Sequence, residues 1–227
     1  MLVGTGSSDF EYEAIVEARK AGLYVIAFLD HWTSYESRFT RAGNMLLPDE
    51  IWVGDQEALR LVRRLFPDLT SAYVPNPYWQ DTLDQFNKLD TVCEETTLLF
   101  MSTNIDDHYA KTSAVLSDHW LLEKIIDFFA KSKTFPAVNY VTVRTHPSES
   151  KEKYANFCYP GVDIRHDVGC DLVQSIARHA LVAGHNSMGL VVGKLCGRRS
   201  VNFLVDNYHD EQIPSRYVDE IVYLHDS

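Results

Sequence analysis

The chain reads as an α/β protein made of two Rossmann-like parallel-sheet domains, the first of them incomplete. Three observations predict this. Short apolar runs alternate with amphipathic segments of helical period along all 227 residues, the pattern of repeated β-α units in an open, mostly parallel sheet. The polar stretch Thr91-Val92-Cys93-Glu94-Glu95 interrupts that alternation, which restarts behind it. Domains are therefore expected over residues 1–92 and 93–227. Apolar content of 45%, with 12% aromatics, is ample for a packed core.

In the first domain, Met1-Leu2-Val3 is a strand stub that ends in Gly4-Thr5-Gly6-Ser7-Ser8-Asp9. Residues 11–21 follow as an amphipathic helix, with Ile15, Ala18 and Ala21 on one side and Gly22 as its stop. Residues 23–29 are continuously apolar, as in a strand buried on both faces of a parallel sheet. Glu50-Ile51-Trp52-Val53 is a shorter strand, and residues 57–66 are a helix that aligns Leu59, Val62 and Leu65. Ala72-Tyr73-Val74 is a strand stopped by Pro75-Asn76-Pro77, and residues 79–89 are again helical. In the second domain, strands are expected at 97–101, 138–143, 162–164, 181–183, 200–204 and 220–224, with helices at 118–131, 171–180 and 190–196. The first sheet has about four strands and opens with Met1 already inside one. A doubly wound domain starts with its own βαβ half, so the chain is expected to be a fragment or a trimmed variant.

Composition excludes several function classes. A formal net charge of −11 argues against a nucleic-acid partner, because a duplex-binding surface needs clustered Lys and Arg. No apolar run approaches the ~18 residues of a membrane span, and Asp9, Glu11 and Glu13 come too early for a signal peptide. Cys93, Cys158, Cys170 and Cys196 lie far apart without a CxxC pair, which fits thiols in a reducing compartment better than disulfides or zinc. The expected compartment is the cytoplasm, with no metal and no resident cofactor.

The chemistry concentrates at strand ends. The apolar run at 138–143 leads into Arg144-Thr145-His146-Pro147-Ser148-Glu149, where Pro147 ends the strand and holds His146 extended. Residues 180–183 lead into Gly184-His185-Asn186-Ser187-Met188-Gly189, with a helix behind. Ligands of parallel α/β sheets bind at strand carboxyl ends, and helix N-termini there offer N–H groups to an anion. His146 suits a phosphate contact or proton donation, and Ser187 suits both capping and phosphate binding. A surface loop histidine and a plain helix cap are the alternatives. Ser102-Thr103-Asn104 opens the second sheet with hydroxyls suited to phosphate; Asp106-Asp107 beside it has the carboxylates for a divalent ion, but caps and turns use the same residues and are the expected reading. In the first domain, Asp30-His31-Trp32 ends the strongest strand, a carboxylate and an imidazole placed to serve as base and relay, or as cap and core. Gly4-Thr5-Gly6-Ser7-Ser8 is neither a full GxGxxG nor a Walker A loop, so a plain turn explains it as well as ligand contact does.

On these residues the second domain resembles the nucleotide-binding C-terminal domain of GT-B glycosyltransferases. His146-Pro147 and Asn186-Ser187 are similar to the HP and Ser-rich phosphate motifs of bacterial sialyltransferase-like and capsule polysaccharide transferases, and of teichoic-acid glycerophosphotransferases. Ala72-Tyr73-Val74-Pro75-Asn76-Pro77-Tyr78 is similar to the G-N-P segment that ends many GT-B N-terminal domains, and Pro48-Asp49-Glu50-Ile51-Trp52-Val53 resembles the strand before it. The resemblance implies a metal-independent enzyme that holds a nucleotide-activated sugar in an interdomain cleft. It would transfer the sugar to a saccharide acceptor in surface-polysaccharide synthesis. It puts Ser102, Thr103, His146 and Ser187 around the phosphates, with Thr145, Pro147, Ser148, Gly184, His185, Asn186 and His31 lining the substrate site. His146 would stabilise the leaving phosphate, and Asp30 would be the base for the acceptor. Enzymes of this kind that use UDP-sugars often carry a ribose-binding Glu-Ala pair before a Gly. Aligned on Gly197, that pair falls at Val192-Gly193, which points away from UDP toward a cytidine nucleotide. Two other readings stay open. One is a UDP-N-acetylglucosamine 2-epimerase-like enzyme. The other is a non-catalytic half protein whose first sheet is completed by a partner chain or a second copy.

Overall fold

The computed structural model describes residues 1–5, 9–103, 105, 117–205 and 212–225. The chain separates into two compact units, Met1–Tyr78 and Trp79–Ser227. The division falls inside a helix and not at 92/93, where the composition changes. Side chains beyond Tyr78 explain the shift, because they are tied into the second unit. Gln85 donates to Asp171 at 2.9 Å, the Arg198 guanidinium sits 5.3 Å from the Phe86 ring, and Arg198 donates to the Thr91 carbonyl at 2.9 Å.

The first unit contains β1 (Leu2–Val3), α1 (Asp9–Lys20), β2 (Ile26–Leu29), α2 (Tyr35–Arg38), β3 (Thr40–Arg41), β4 (Asn44–Met45), β5 (Glu50–Val53), α3 (Gln56–Leu65) and β6 (Thr70–Tyr73), and it ends within α4 (Pro77–Phe86). Its sheet has the order β1-β2-β5-β6, parallel throughout, so successive crossovers all run in one direction. The strand expected over 23–29 begins only at Ile26. Leu23 and Tyr24 are more than half exposed, because they follow the left-handed turn at Gly22 and precede the sheet. Nor is this strand buried on both faces: Val25, Ala27 and Leu29 are buried while Ile26 and Phe28 are only partly so. α3 forms where expected. Asp55 caps it by accepting from the N–H groups of Glu57 and Ala58, and Leu59 and Val62 are buried. The β3–β4 hairpin and α2 have no periodic signature. They are held by tertiary anchors, notably buried Tyr35 and Phe39, the latter edge-on to Phe66 at 6.0 Å.

The second unit runs through β7 (Thr97–Met101), α5 (Asp118–Lys131), β8 (Tyr140–Arg144), β9 (Asp163–His166), α6 (Leu172–Ala177), β10 (Leu181–Gly184), α7 (Met188–Leu195), β11 (Arg199–Val205), a 3-10 turn (Ser215–Tyr217) and β12 (Glu220–Leu224). Each of the six strands expected from sequence is present. They pair in parallel in the order β12-β11-β10-β7-β8-β9. The chain winds outward from β7 to β9, returns to the other side of β7 as β10, and winds outward again. That is the Rossmann-like arrangement, with its reversal between β7 and β10.

The two faces of this sheet are served by different helices. Leu98, Phe100, Val141, Val143, Leu181, Ala183, Val201 and Phe203 share one core with Leu121, Leu122, Ile125, Ile126 and Phe129 of α5. Phe128, Phe129, Phe135 and Phe203 close it with edge-to-face and tilted ring contacts between 5.2 and 6.2 Å. Burying each such side chain stabilises the fold by about 1.5–3 kcal/mol. On the opposite face α7 lies close to β10 and β7, since a Cβ on Gly193 would come within 2.9 Å of Val182 Cγ2, and one on Gly189 within 2.4 Å of Met101 Cε.

Candidate functional site

Parallel pairing puts the carboxyl ends of β7, β8 and β10 on one edge of the second sheet, with the reversal between β7 and β10. Ser102 continues the ladder by donating its N–H to the Arg144 carbonyl at 3.0 Å. Its side chain is 3% exposed. The hydroxyl lies 2.9 Å from Glu149 Oε1, 2.8 Å from the Tyr154 hydroxyl and 3.4 Å from Asp118 Oδ1. Expected at the ligand, this hydroxyl is instead engaged inside the protein. Thr103, the next residue, has a buried hydroxyl with no hydrogen-bond partner among the described residues. Asn104, Asp106 and Asp107 lie outside the described residues, as do Gly6, Ser7 and Ser8 of the Gly-rich turn.

Beyond β8, Thr145 is half-buried while His146, Pro147 and Ser148 are exposed. His146 Nδ1 is 2.7 Å from Ser148 Oγ, and the Ser148 N–H donates to it at 3.2 Å. The His146 N–H donates to Glu149 Oε2 at 2.6 Å. Arg144 side-chain contacts run to the Asp167 carboxylate, the Cys170 carbonyl at 3.1 Å and Ser175 Oγ at 3.3 Å.

Beyond β10, Gly184 lies against β7 so closely that a Cβ would sit 2.5 Å from the Met101 carbonyl oxygen. His185 is 5% exposed and its Nδ1 lies 2.8 Å from the Phe203 carbonyl. A carbonyl only accepts, so Nδ1 carries the proton. His185 therefore bridges β10 to β11 from within. Asn186 takes up a left-handed conformation, φ 48°, which costs most non-glycine residues energy. A reciprocal bracket with fully buried Asn202 holds it there. The Asn186 N–H donates to Asn202 Oδ1 at 2.8 Å, and Asn202 Nδ2 donates to Asn186 Oδ1 at 3.1 Å. Ser187 then caps α7 by accepting from the Gly189 N–H at 3.3 Å. The first turn of α7 thus faces the reversal, with the electropositive end that favours anions. Val192 and Gly193, where a ribose-binding Glu-Ala pair would align, belong to the packed side of α7.

The sequence flagged the strand ends. It missed Glu149, Asp118, Lys153, Tyr154 and Asn202, which hold them. Glu149 alone left a trace, because an acidic residue three positions after His146 has the spacing of a local side-chain-to-backbone bracket.

In the first unit, Asp30 and His31 stand at the carboxyl end of β2. Asp30 is well exposed and pairs with Arg38 at 3.4 Å. Arg38 also reaches the Thr5 carbonyl, while the Thr5 hydroxyl donates to the Phe28 carbonyl at 3.1 Å. Among the described residues the buried His31 Nδ1 has no hydrogen-bond partner. Burial, followed by the Arg38 cation, holds the His31 pKa below its ordinary value, against the opposing pull of Asp30. Among the described residues no hydrogen bond joins Asp30 to His31, so the expected relay between them is not formed.

A cavity of about 640 Å³ lies elsewhere in the second unit, over the face of β8 and β9 that α7 leaves uncovered. Tyr140, Thr142, Asp163, Arg165 and His179 line it. Its wall is internally satisfied. His179 Nδ1 donates to the Ser175 carbonyl at 2.6 Å, and Nε2 accepts from the Thr142 hydroxyl at 2.7 Å. The Arg165 guanidinium lies 4.5 Å from the Tyr140 ring.

All four cysteines are free, and burial pushes the Cys196 thiol up to about 11. Among the described residues no cluster of His, Cys, Asp and Glu is arranged to hold a metal ion, and no helix is long and apolar enough to cross a membrane. No protein-family model matches the chain, and no curated protein matches it either.

Proposed function

We propose that the second unit binds a nucleotide-activated sugar through its phosphates at the β7/β10 reversal, and that the protein transfers the sugar to a saccharide acceptor. One observation carries the reading. The strand order sets the Thr103 hydroxyl, buried and without a hydrogen-bond partner among the described residues, and the Asn186-Ser187 turn, with the α7 N-terminus, on the two sides of that reversal. Rossmann-like sheets receive phosphates at such a place. In this reading Thr103, Ser187 and the α7 N–H groups hold the phosphates. His146 donates to the leaving phosphate as charge develops on it. Ser102 and His185 shape the edge from within. Val192 and Gly193 in place of Glu-Ala favour a cytidine over a uridine nucleotide.

Calorimetric titration of the full chain with CMP, CDP, UDP and GDP tests the proposal. CMP or CDP is expected to bind best, and His146→Ala and Ser187→Ala to weaken that binding about tenfold each, the scale of one charge-assisted hydrogen bond. If none of the four nucleotides binds the unaltered protein, the transferase reading fails. If binding is unchanged in both variants, the site is misassigned.

A further inference from the structure

The turn that carries His146 is exposed, yet it is anchored by a buried carboxylate. The Glu149 N–H donates to the His146 carbonyl at 2.9 Å, and the His146 N–H returns a bond to Glu149 Oε2 at 2.6 Å. The Glu149 side chain is 1% exposed. Its other oxygen, Oε1, accepts from the Ser102 hydroxyl at 2.9 Å and from the Lys153 ammonium at 2.8 Å. Lys153 in turn reaches Asp118, the first residue of α5, at 2.6 Å. A continuous set of charge-assisted bonds therefore runs from α5 and the end of β7 to the backbone of His146.

The ring is fixed as well. A backbone N–H can only donate, so the contact from the Ser148 N–H at 3.2 Å makes Nδ1 the bare nitrogen. The Ser148 hydroxyl at 2.7 Å then donates to the same atom. In the neutral ring the proton accordingly resides on Nε2. The backbone N–H and carbonyl of His146 are both engaged by Glu149, and among the described residues Nε2–H is the polar group of this residue left to meet a ligand.

We infer that Glu149 is a positioning residue which, with Ser148, presents His146 as a fixed Nε2–H donor to a phosphate oxygen. The ligand in this statement rests on the nucleotide reading above, while the fixed tautomer does not. A carboxylate is the group the geometry asks for, because three donors converge on its two oxygens. A glutamine would turn its NH₂ toward one of those donors and leave that bond unmade.

Long-range ¹H–¹⁵N correlation spectra of the imidazoles in the unliganded full chain test the inference, with the His146 signals identified by their loss in His146→Ala. The unaltered protein is expected to show a single Nε2–H pattern for His146. In Ser148→Ala and Glu149→Gln the two nitrogens should move toward the averaged shifts of exchanging tautomers. Affinity for CDP is expected to fall about tenfold in Glu149→Gln. An averaged or Nδ1–H pattern in the unaltered protein overturns the inference, as does an unchanged pattern in both variants. If Glu149→Gln fails to fold, Ser148→Ala decides, since its side chain is exposed. If none of CMP, CDP, UDP and GDP binds the unaltered protein, the nucleotide reading falls while the spectra still decide the positioning role.

Discussion

Which nitrogen of a histidine carries its proton, and whether it ever gains a second, is set by its neighbours rather than its place in the chain. His146, His179 and His185 each have one ring nitrogen fixed by a backbone group, with opposite results: Nδ1 is bare in His146 and protonated in the other two. Sequence marked His146 and His185 alike, as histidines at strand ends. Only the fold separates an exposed donor from a buried bridge, because the Phe203 carbonyl that claims His185 comes from a neighbouring strand. His179 is 4% exposed, and burial holds its pKa below the ordinary 6.5. As pH falls through that value, the unfolded chain takes up a proton that the folded protein does not. Stability is therefore complete above the unfolded value and declines as pH drops from it toward the lowered folded one. His31 acts in the same direction. The thermal midpoint is expected to fall from about pH 7.5 to pH 5.5, as the unfolding free energy drops by up to about 1.4 kcal/mol per pH unit for each histidine. Calorimetry on His179→Gln should show a shallower dependence, and an equal one would remove His179 from the cause.

Elements with a strong period were legible, and those held by distant anchors were not. The 118–131 helix matches α5 end to end, because its apolar positions and the Ser117 cap are local. α2 and the β3–β4 hairpin escaped notice, since buried Tyr35 and Phe39 fix them through the rest of the unit. The seating of α7 could not be read either. Gly184, Gly189 and Gly193 look alike in sequence, but their surroundings differ. A Cβ at Gly184 meets a main-chain oxygen at 2.5 Å, one at Gly193 meets the stiff Val182 side chain, and one at Gly189 meets the mobile tip of Met101. Gly184→Ala is expected to cost at least about 1–3 kcal/mol by overpacking. Gly189→Ala should be nearly neutral, because a shift of Met101 is offset by the helix preference of Ala, about 1 kcal/mol. Urea denaturation of the two variants measures this contrast, and equal losses would contradict it.

At the scale of the molecule, each unit has its own sheet and core. Residues 79–227 are expected to fold when produced alone, giving dispersed amide resonances and one cooperative thermal transition. A spectrum collapsed to random-coil shifts would show that this core depends on the first unit. The α/β class, the strands of both sheets and the strand ends that bear His146, Asn186 and Ser187 were legible along the chain, because hydrophobic period and breaker residues are local properties. Tertiary structure decided the rest. The division after Tyr78 depends on contacts of Gln85 with Asp171 and of Phe86 with Arg198, residues far away in the chain. The reversal between β7 and β10 depends on which strands pair. The inward engagement of Ser102 depends on a carboxylate from another loop. Each is a choice of partner across the chain, and a linear pattern carries no distance between residues that meet only on folding.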